Sequence, residues 1–240
     1  MSALGLTTDD TVLEVGPGKG ILTERLVERA GRVIAVELDE RLVRLLSQRF
    51  GERCTVVHQD ILEFPLCFST PVKVMGNLPY NISSQVLFRL LEHTGSWTNA
   101  VLTCQREFAA RVLALPGNKD YGAVSVFTEL ECERERLFNI PAWQFKPRPD
   151  IVSTAFRLVR RAAPLFRVDD SEGFRSFVKS GFRQRRKTLA NNLVAAGLSR
   201  SGSGQALVEC GLDPRVRAES LSVFQFRELF EAVRRARAGQ

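Results

Sequence analysis

Short apolar runs and helical patterns alternate along the first half of the chain. The strand-like runs are four or five residues long and rich in β-branched side chains. They are Thr11–Val15, Val33–Glu37, Cys54–His58, Val72–Met75 and Ala100–Cys104. Patterns with helical spacing lie between and after them, at Leu22–Ala30, Glu40–Phe50, Ser83–His93 and Glu107–Leu115. Strands that alternate with helices predict βαβ units and an α/β fold with a mostly parallel, doubly wound sheet.

The pattern changes after Tyr121. Two longer strand-like segments follow, Val124–Leu137 and Thr154–Arg160, joined by a proline-rich loop at Pro141–Ser153. From Ser171 onward the spacing is helical, over Glu172–Arg183, Lys187–Ala196, Gly204–Cys210 and Ser222–Arg237. We therefore expect two domains: an α/β domain over residues 1–163 and a small all-helical domain over residues 164–240.

Composition excludes several classes of protein. The 240 residues are 44% hydrophobic and 25% charged, and no apolar run approaches the ~20 residues of a membrane span. No secretory signal opens the sequence, and the five cysteines are scattered without a Cys-x-x-Cys pair. The two histidines, His58 and His93, are too few for a multi-histidine metal centre. These features predict a cytoplasmic protein with reduced thiols, no metal and no membrane contact.

Positive charge is concentrated in the last third of the chain. Residues 1–160 contain 19 Lys+Arg and 19 Asp+Glu, whereas residues 161–240 contain 15 and 8, a net charge of +7. A basic segment beside a neutral one suggests a polyanion-binding region attached to a separate working domain. A solvated helical surface explains the charge alone equally well.

A glycine-rich segment follows the first predicted strand. Glu14-Val15-Gly16-Pro17-Gly18-Lys19-Gly20 has the spacing G-x-G-x-G and not the G-x-G-x-x-G of dinucleotide-binding proteins. Glycines allow a sharp turn and a close approach of the backbone to a ligand. Glu14 would oppose a pyrophosphate but favour the ammonium and sulfonium groups of S-adenosylmethionine. By itself such a loop is also compatible with a simple tight turn.

Two further carboxylates end the next two strands. Glu37 lies about 20 residues after the loop, where an acidic residue conventionally binds ribose hydroxyls, and Asp60 can accept a hydrogen bond from an adenine amine. Their apolar neighbours Leu38 and Ile61 complete the predicted cofactor set. Since ligands of open α/β sheets bind at the carboxyl ends of the strands, the three carboxylates together favour a nucleoside cofactor over isolated caps or turns.

The tetrapeptide Asn77-Leu78-Pro79-Tyr80 directly follows the fourth strand. The lone pair of an adenine N6 amine is delocalised into the ring, which makes the nitrogen a poor nucleophile. Two hydrogen-bond acceptors aimed at the hydrogens of this amine would draw the nitrogen towards tetrahedral geometry and so free the lone pair. The Asn77 side-chain oxygen and the Leu78 carbonyl can be those acceptors, while Pro79 stiffens the turn and Tyr80 stacks on an extruded base. The alternative is a polar β-turn, because Asn and Pro are common turn residues.

These motifs resemble the ribosomal RNA adenine N6,N6-dimethyltransferase family, in particular the bacterial enzymes that act on small-subunit (16S) RNA. The resemblance covers nearly the whole chain, and its most specific parts follow the glycine loop. The matching segments are LEVGPGKGILT, VIAVELD, HQDILEF, GNLPYNISS, QREFAARVLA, YGAVSVF, FKPRPDIVST, FRQRRKTLANNL and RAESLSVFQF. The resemblance implies a Rossmann-like class I methyltransferase fold with a C-terminal all-helical domain.

The resemblance also implies roles for individual residues. Glu14, Gly16, Gly18, Glu37, Asp60 and Asn77 would hold S-adenosylmethionine. Asn77, Leu78, Pro79 and Tyr80 would position the target amine, and Phe145 would stack on the other face of the base. In the implied reaction, two methyl groups are transferred to each of two adjacent adenines of small-subunit ribosomal RNA. The resemblance further implies that the RNA is part of a pre-ribosomal 30S-type particle and that the enzyme is a monomer.

A basic cluster occupies the junction of two predicted helical segments. Arg183, Arg185, Arg186 and Lys187 directly precede Thr188. Guanidinium groups suit the phosphates of folded RNA, so we predict RNA binding here, with Arg148 of the proline-rich loop as a further contact. The alternative is a solubilising face, or pairing with nearby acidic residues at 169–172.

Two other functions stay open at this point. The macrolide-resistance enzymes, which methylate an adenine of large-subunit RNA, share the expected fold and chemistry. A non-catalytic nucleic-acid-binding relative, such as a transcription factor, is the second alternative, although the intact Glu14, Glu37, Asp60 and Asn77 favour catalysis. Family members carry a further N-terminal segment that folds over the cofactor, so we expect cofactor closure to depend on residues outside this sequence.

Overall fold

The computed structural model describes residues 2–145 and 151–238. Their packing groups into two compact units. We call residues 1–109 with 132–162 the sheet unit, and residues 110–131 with 163–240 the helical unit. Residues 110–131 thus pack with the C-terminal helices although they precede the last two strands. The predicted two-domain division between residues 163 and 164 stays a prediction.

The sheet unit contains seven strands in the order β3-β2-β1-β4-β5-β7-β6. The first five strands are parallel, and β7 pairs antiparallel with both β5 and β6. The strands are β1 Thr11–Val15, β2 Arg32–Glu37, β3 Thr55–His58, β4 Val72–Asn77, β5 Trp97–Gln105, β6 Cys132–Ile140 and β7 Ser153–Arg160. The predicted α/β fold with a mostly parallel, doubly wound sheet is confirmed.

The helices of the first half lie close to their predicted positions. They are α1 Ile21–Leu26, α2 Glu40–Phe50, α3 Ser83–Glu92 and α4 Arg106–Leu113. Asp39 begins α2 by accepting a hydrogen bond from the Arg41 amide at 2.9 Å. Leu26, Leu46 and Phe50 of α1 and α2 pack in one core cluster with side chains of β1 and β2. Burial of this face holds the glycine-rich segment, which joins β1 to α1, over the edge of the sheet.

One predicted strand was wrong in its first half. Residues 124–131 belong to a helix, α5 Ala123–Glu131, and only the second half of the predicted strand Val124–Leu137 forms β6. The β-branched and aromatic residues that suggested a strand are buried around much of this helix. Thr128 Oγ1 lies 2.7 Å from the Val124 carbonyl four residues back and 3.1 Å from the Val112 carbonyl. Tertiary burial therefore overrides the local β-propensity.

The helical unit has an aromatic core. Besides α5 it contains α6 Ser171–Gly181, α7 Leu189–Ala195, α8 Arg200–Glu209 and α9 Val223–Ala238. The Phe174 and Phe177 rings of α6 both contact the Phe230 ring of α9, with 5.5 Å between ring centroids, and Phe166 meets Phe174 edge-on at 5.8 Å. Such aromatic pairs explain how a small helical unit stabilises its packing. Among the described residues, no helix is long and apolar enough to cross a membrane.

Gly20 provides a test of how the glycine-rich segment is anchored. Its backbone has φ +80°, and an added Cβ would lie 2.7 Å from the Phe50 ring and 2.8 Å from Leu46. We expect Gly20→Ala to lower the free energy of unfolding by about 2–5 kcal/mol, combining about 1–2 kcal/mol of backbone strain with overpacking. Urea denaturation measures this change.

Gly117→Ala is the matched control. Gly117 has nearly the same φ as Gly20, +84°, but no heavy atom lies within 4 Å of the position that an added Cβ would take. The control should therefore cost only the strain, about 1–2 kcal/mol. Equal losses in both variants would contradict the packing of this segment against α2.

Candidate active site

The site lies where the direction of strand order reverses. From β1 the sheet extends to β2 and β3 on one side and to β4 and β5 on the other. The chain leaves β1 towards β2 on one side and leaves β4 towards β5 on the other, so a crevice opens beyond the carboxyl ends of β1 and β4. Glu14 lies on β1, Glu37 ends β2 and Asn77 ends β4. The sheet thus brings the predicted cofactor carboxylates and the tetrapeptide to one edge.

The glycine-rich segment adopts the turn that its residues predict. Gly16 and Gly18 have φ values of +63° and +58°, which residues other than glycine rarely adopt. The Gly16 amide donates to the Val36 carbonyl at 3.0 Å, which fastens the loop to β2. A Cβ on Gly16 would lie 4.0 Å from Pro79 Cδ, so the loop runs directly beside the tetrapeptide.

The Glu37 carboxylate is held by backbone amides. Its Oε2 accepts a hydrogen bond from the Gly18 amide at 3.1 Å, and its Oε1 accepts from Leu38 at 2.8 Å and Asp39 at 3.0 Å. These bonds fix the carboxylate between the loop and the start of α2. Leu38 itself is exposed. The arrangement supports a ligand-binding role for this edge of β2 while leaving the role of Leu38 a prediction.

Asp60 is placed by a turn after β3. Its Oδ1 accepts a hydrogen bond from the Leu62 amide at 2.8 Å, and its carbonyl accepts from Phe64 at 2.9 Å. Ile61, between these residues, is buried. The Gln59 amide donates to the Glu37 carbonyl at 3.1 Å, so this turn is attached to the end of β2. The predicted adenine acceptor and ribose acceptor therefore lie on neighbouring, hydrogen-bonded segments.

Glu14 is the unusual carboxylate of the site. Only 1% of its surface is exposed, and its Oε2 accepts a hydrogen bond from Thr23 Oγ1 at 2.7 Å. Its Oε1 is buried without a hydrogen-bond partner among the described residues. Burial raises the pKa of Glu14 to about 7, the negative charge of Glu37 acts in the same direction, and the Thr23 hydrogen bond opposes both. A buried carboxylate oxygen with no partner fits a cationic ligand group, such as the ammonium of S-adenosylmethionine.

The tetrapeptide is braced from three sides. The Leu78 amide donates to the Thr103 carbonyl at 2.8 Å, and Ser83 Oγ donates to the Pro79 carbonyl at 2.8 Å. The Tyr80 hydroxyl lies 2.8 Å from Oγ of Ser153, a buried residue at the start of β7. None of the described residues donates a hydrogen bond to the Asn77 side-chain oxygen or to the Leu78 carbonyl. Asn77 is exposed on this turn, whereas Leu78 is only 1% exposed, so the role of its carbonyl as an acceptor stays a prediction.

Sequence reasoning did not identify the residues that support this site. Thr23 holds Glu14, Thr103 holds Leu78, and Ser153 holds Tyr80. Ser153 belongs to the FKPRPDIVST segment, which offered a signal, whereas nothing in the sequence distinguished Thr23 or Thr103 from ordinary structural residues. Phe145 is half-buried at the end of a short turn that follows β6, and β6 pairs with β7 next to Ser153. Its contact with a base stays a prediction.

The basic cluster of the helical unit separates into two kinds of residue. Arg183, Arg186 and Lys187 are exposed between α6 and α7. Arg185 instead donates to the Lys119 carbonyl and, at 3.1 Å, to the Tyr121 carbonyl, and lies 3.8 Å from Glu219. These contacts give Arg185 a structural task within the unit. Arg148 lies outside the described residues.

Asn192 fixes the segment that carries these arginines. It is buried, and its Nδ2 donates to the carbonyls of Gly181 at 2.8 Å and Gln184 at 3.1 Å, while its Oδ1 accepts from the Gln184 amide at 3.1 Å. Thr188 caps α7 on the other side of the segment. The TLANNL sequence therefore presents the cationic side chains in a defined turn, which sequence reasoning did not foresee.

Fold and site together define a class of protein: an enzyme of the Rossmann-like methyltransferase type. The chain matches the model of the family "Ribosomal RNA adenine dimethylase" over residues 1–235, and it belongs to that family. Members of this family and fold are S-adenosylmethionine-dependent methyltransferases. No group of acidic, cysteine or histidine side chains suited to a metal ion occurs among the described residues.

Named relatives are similar over nearly the full length. The chain is 43% identical to the "Ribosomal RNA small subunit methyltransferase A" of Geobacter metallireducens, over 94% of this chain and 86% of the relative. It is 41% identical to the protein of the same name from Geobacter sulfurreducens, over 92% and 83%. These similarities support the rRNA dimethyltransferase prediction over its alternatives.

Two solved structures share the fold. A dimethyladenosine transferase from Plasmodium falciparum superimposes with a TM-score of 0.83 at 23% identity, covering 98% of this chain and 94% of that chain. The 23S rRNA methyltransferase ErmE superimposes with a TM-score of 0.72 at 28% identity, covering 97% and 94%. The predicted Rossmann-like fold with its helical C-terminal region is confirmed.

The raised pKa of Glu14 predicts how stability depends on pH. Between the ordinary value of 4.5 and about 7, the folded protein holds a proton that the unfolded chain has released. Folding stability from this group is therefore fully present below about pH 4.5 and is lost as pH rises through about 7. We expect Glu14→Gln, which cannot ionise, to gain up to roughly 3 kcal/mol relative to the native protein between about pH 4.5 and 8.

Urea denaturation of both proteins without cofactor, across this pH range, measures the difference. Thr23→Val is a useful companion, because it removes the hydrogen bond that stabilises the ionised carboxylate and should extend the loss of stability to higher pH. A constant difference between native protein and Glu14→Gln at all pH values would show that Glu14 does not titrate in this range.

Proposed function

We propose that this enzyme transfers methyl groups from S-adenosylmethionine to the N6 amines of two adjacent adenines in small-subunit ribosomal RNA. The observation that carries the proposal is the exposed Asn77 side chain, next to the Leu78 carbonyl, on a braced turn beside the glycine-rich loop. Membership of the ribosomal RNA adenine dimethylase family and the names of the Geobacter relatives support the same substrate. The substrate would be presented in a pre-ribosomal particle to a monomeric enzyme.

The residues at the carboxyl ends of β1 to β4 would bind the cofactor. Glu14 would face a positive group, Glu37 would accept from ribose hydroxyls, and Asp60 would accept from the adenine amine. Gly16 and Gly18 let the backbone come close because they carry no side chain there. When bound, the cofactor supplies an electrophilic methyl group on a sulfonium.

The chain's own residues would make the target amine nucleophilic. Asn77 and the Leu78 carbonyl would accept its two hydrogens and so draw the nitrogen towards tetrahedral geometry. Tyr80, held by Ser153, would stack on the extruded base, with Phe145 on the opposite face. No general base is required before transfer, because the proton becomes acidic once the nitrogen carries the new methyl group.

Asn77→Ala tests the assignment of the tetrapeptide. We expect the single-turnover rate of methyl transfer to fall by about 10²-fold or more, because one positioned acceptor at the reacting nitrogen is removed. RNA affinity should stay nearly unchanged, since the proposed role of Asn77 concerns the target amine and not the phosphates. The measurement follows labelled methyl groups into immature small subunits at saturating cofactor. A normal single-turnover rate in the variant would remove Asn77 from the reaction.

Arg183→Ala with Arg186→Ala tests the RNA contact of the helical unit. We expect weaker binding to the immature subunit and a salt dependence whose slope falls by about two units, one for each phosphate that is no longer neutralised. Arg185 is left intact because its intramolecular contacts would confuse the result. Binding at several salt concentrations measures the slope.

The control removes two exposed arginines of the sheet unit, Arg29 and Arg53. It lowers the net charge equally but should leave the slope almost unchanged. The same change of slope in both double variants would mean that the arginines act through overall charge and that no defined contact exists at residues 183–187.

A further inference from the structure

Trp143 is an exposed aromatic side chain at the end of the hairpin formed by β6 and β7. The protein has two tryptophans, and they differ sharply. Trp97 is 1% exposed and donates its Nε1 hydrogen to the Leu90 carbonyl at 2.8 Å, whereas Trp143 is 68% exposed. Tryptophan is usually well buried, so an exposed ring of this size is accessible for stacking by a flat ligand.

Two backbone hydrogen bonds define the turn that carries Trp143. Residues Ala142–Gln144 form a single helical turn after Pro141. The Gln144 amide donates to the Pro141 carbonyl at 3.1 Å, and the Phe145 amide donates to the Ala142 carbonyl at 3.2 Å. An aromatic ring on a fixed turn loses little conformational freedom when a flat ligand stacks on it.

Strand pairing places Trp143 close to the proposed base pocket at Tyr80. Ile140, three residues before it, pairs with Ser153, and Ser153 Oγ lies 2.8 Å from the Tyr80 hydroxyl. Three residues of chain span at most about 11 Å. The tryptophan is therefore within reach of a nucleotide that neighbours a base bound at Tyr80.

A cation lies at the same end of the hairpin. Arg136 is exposed, and its guanidinium donates to Asn139 Oδ1 at 2.8 Å. The same oxygen accepts from Thr154 Oγ1 at 2.9 Å, which fixes the pair to β7. Proteins bind single-stranded nucleic acid with cations at its phosphates and exposed aromatic rings on its bases, and this hairpin carries both kinds of side chain.

We propose that Trp143 stacks on the base of a nucleotide next to the target adenine, while Arg136 contacts the phosphate backbone there. The inference rests on the proposed RNA substrate and adds a second base-binding position to it. Two adjacent adenines are targets, so a platform for the neighbour would hold the strand while either base enters the pocket. Trp143 would bind the RNA strand without touching any reacting atom.

Protection of Trp143 from a quencher measures the stacking directly. Accessibility to acrylamide is followed by tryptophan fluorescence, with and without a saturating single-stranded RNA oligonucleotide that carries two adjacent adenines. Trp97 is buried, so the accessible signal comes from Trp143. We expect strong protection on binding in the native protein, and none of this signal in Trp143→Phe.

Affinity measurements test the contribution of the ring. Trp143→Ala should raise the Kd for the oligonucleotide by about 5- to 150-fold, the range expected for one base–aromatic stack, and Trp143→Phe should recover part of it. An abasic site beside the target adenine should weaken binding to the native protein but not further weaken Trp143→Ala. Val208→Ala, which truncates another exposed apolar side chain, should leave the Kd unchanged. Thermal unfolding of each variant confirms that it is folded.

The outcomes separate this inference from the proposed function. RNA that binds at saturation without protecting Trp143, or an unchanged Kd in a folded Trp143→Ala, overturns the stacking position and leaves methyl transfer untouched. A protected Trp143 without any methyl transfer to small-subunit RNA overturns the proposed function alone. No binding of RNA to the native protein overturns both.

Discussion

Parallel pairing of β1 with both β2 and β4 is the constraint on which the site depends. The three strands end at the same edge of the sheet. The chain turns towards β2 after β1 and towards β5 after β4, so the crevice between β1 and β4 stays open. Because Glu37 and Asn77 end β2 and β4 and Glu14 is the next-to-last residue of β1, the sheet brings together residues that are far apart in sequence. The glycine-rich loop can then lie against Pro79 without a side chain between them.

The polar groups of the site differ in how many of their atoms have hydrogen-bond partners within the protein. Glu37 and Tyr80 are engaged by backbone amides and a buried serine, which positions them before any ligand arrives. Glu14 has one oxygen bonded to Thr23 and one buried oxygen without a partner among the described residues. Folding thus tolerates an unfavourable carboxyl group at the place where a cationic ligand would stabilise it. Buried polar groups of this kind concentrate at functional sites, where stability is sacrificed for binding.

The helical unit shows how one cluster of like charges can serve two purposes. Asn192 holds the turn between α6 and α7, so that Arg183 and Arg186 extend into solvent. Arg185, between them, instead binds backbone carbonyls of the 119–121 turn and approaches Glu219. A guanidinium has several donors in a fixed plane and can fasten such a turn as well as it binds phosphate. Charge density along the sequence therefore does not measure the number of side chains available to RNA.

The sequence by itself determined the main features of the sheet unit. Apolar runs and glycines placed the ends of the parallel strands within three residues and α2 to the residue, because these signals act over a few neighbouring positions. The cofactor carboxylates and Asn77 could be selected for the same reason, since strand ends are visible in sequence and parallel strands end together. Their roles in binding and transfer stay predictions.

Tertiary structure decided what depends on distant contacts. Residues 123–131 have the composition of a strand, yet they form a helix because most of their side chains are buried within the helical unit. Thr23, Thr103 and Ser153 became part of the site only through folding, and Arg185 became a structural residue through carbonyls more than sixty positions away. Local patterns cannot determine such features, because burial and hydrogen-bond partners are properties of the whole packed unit.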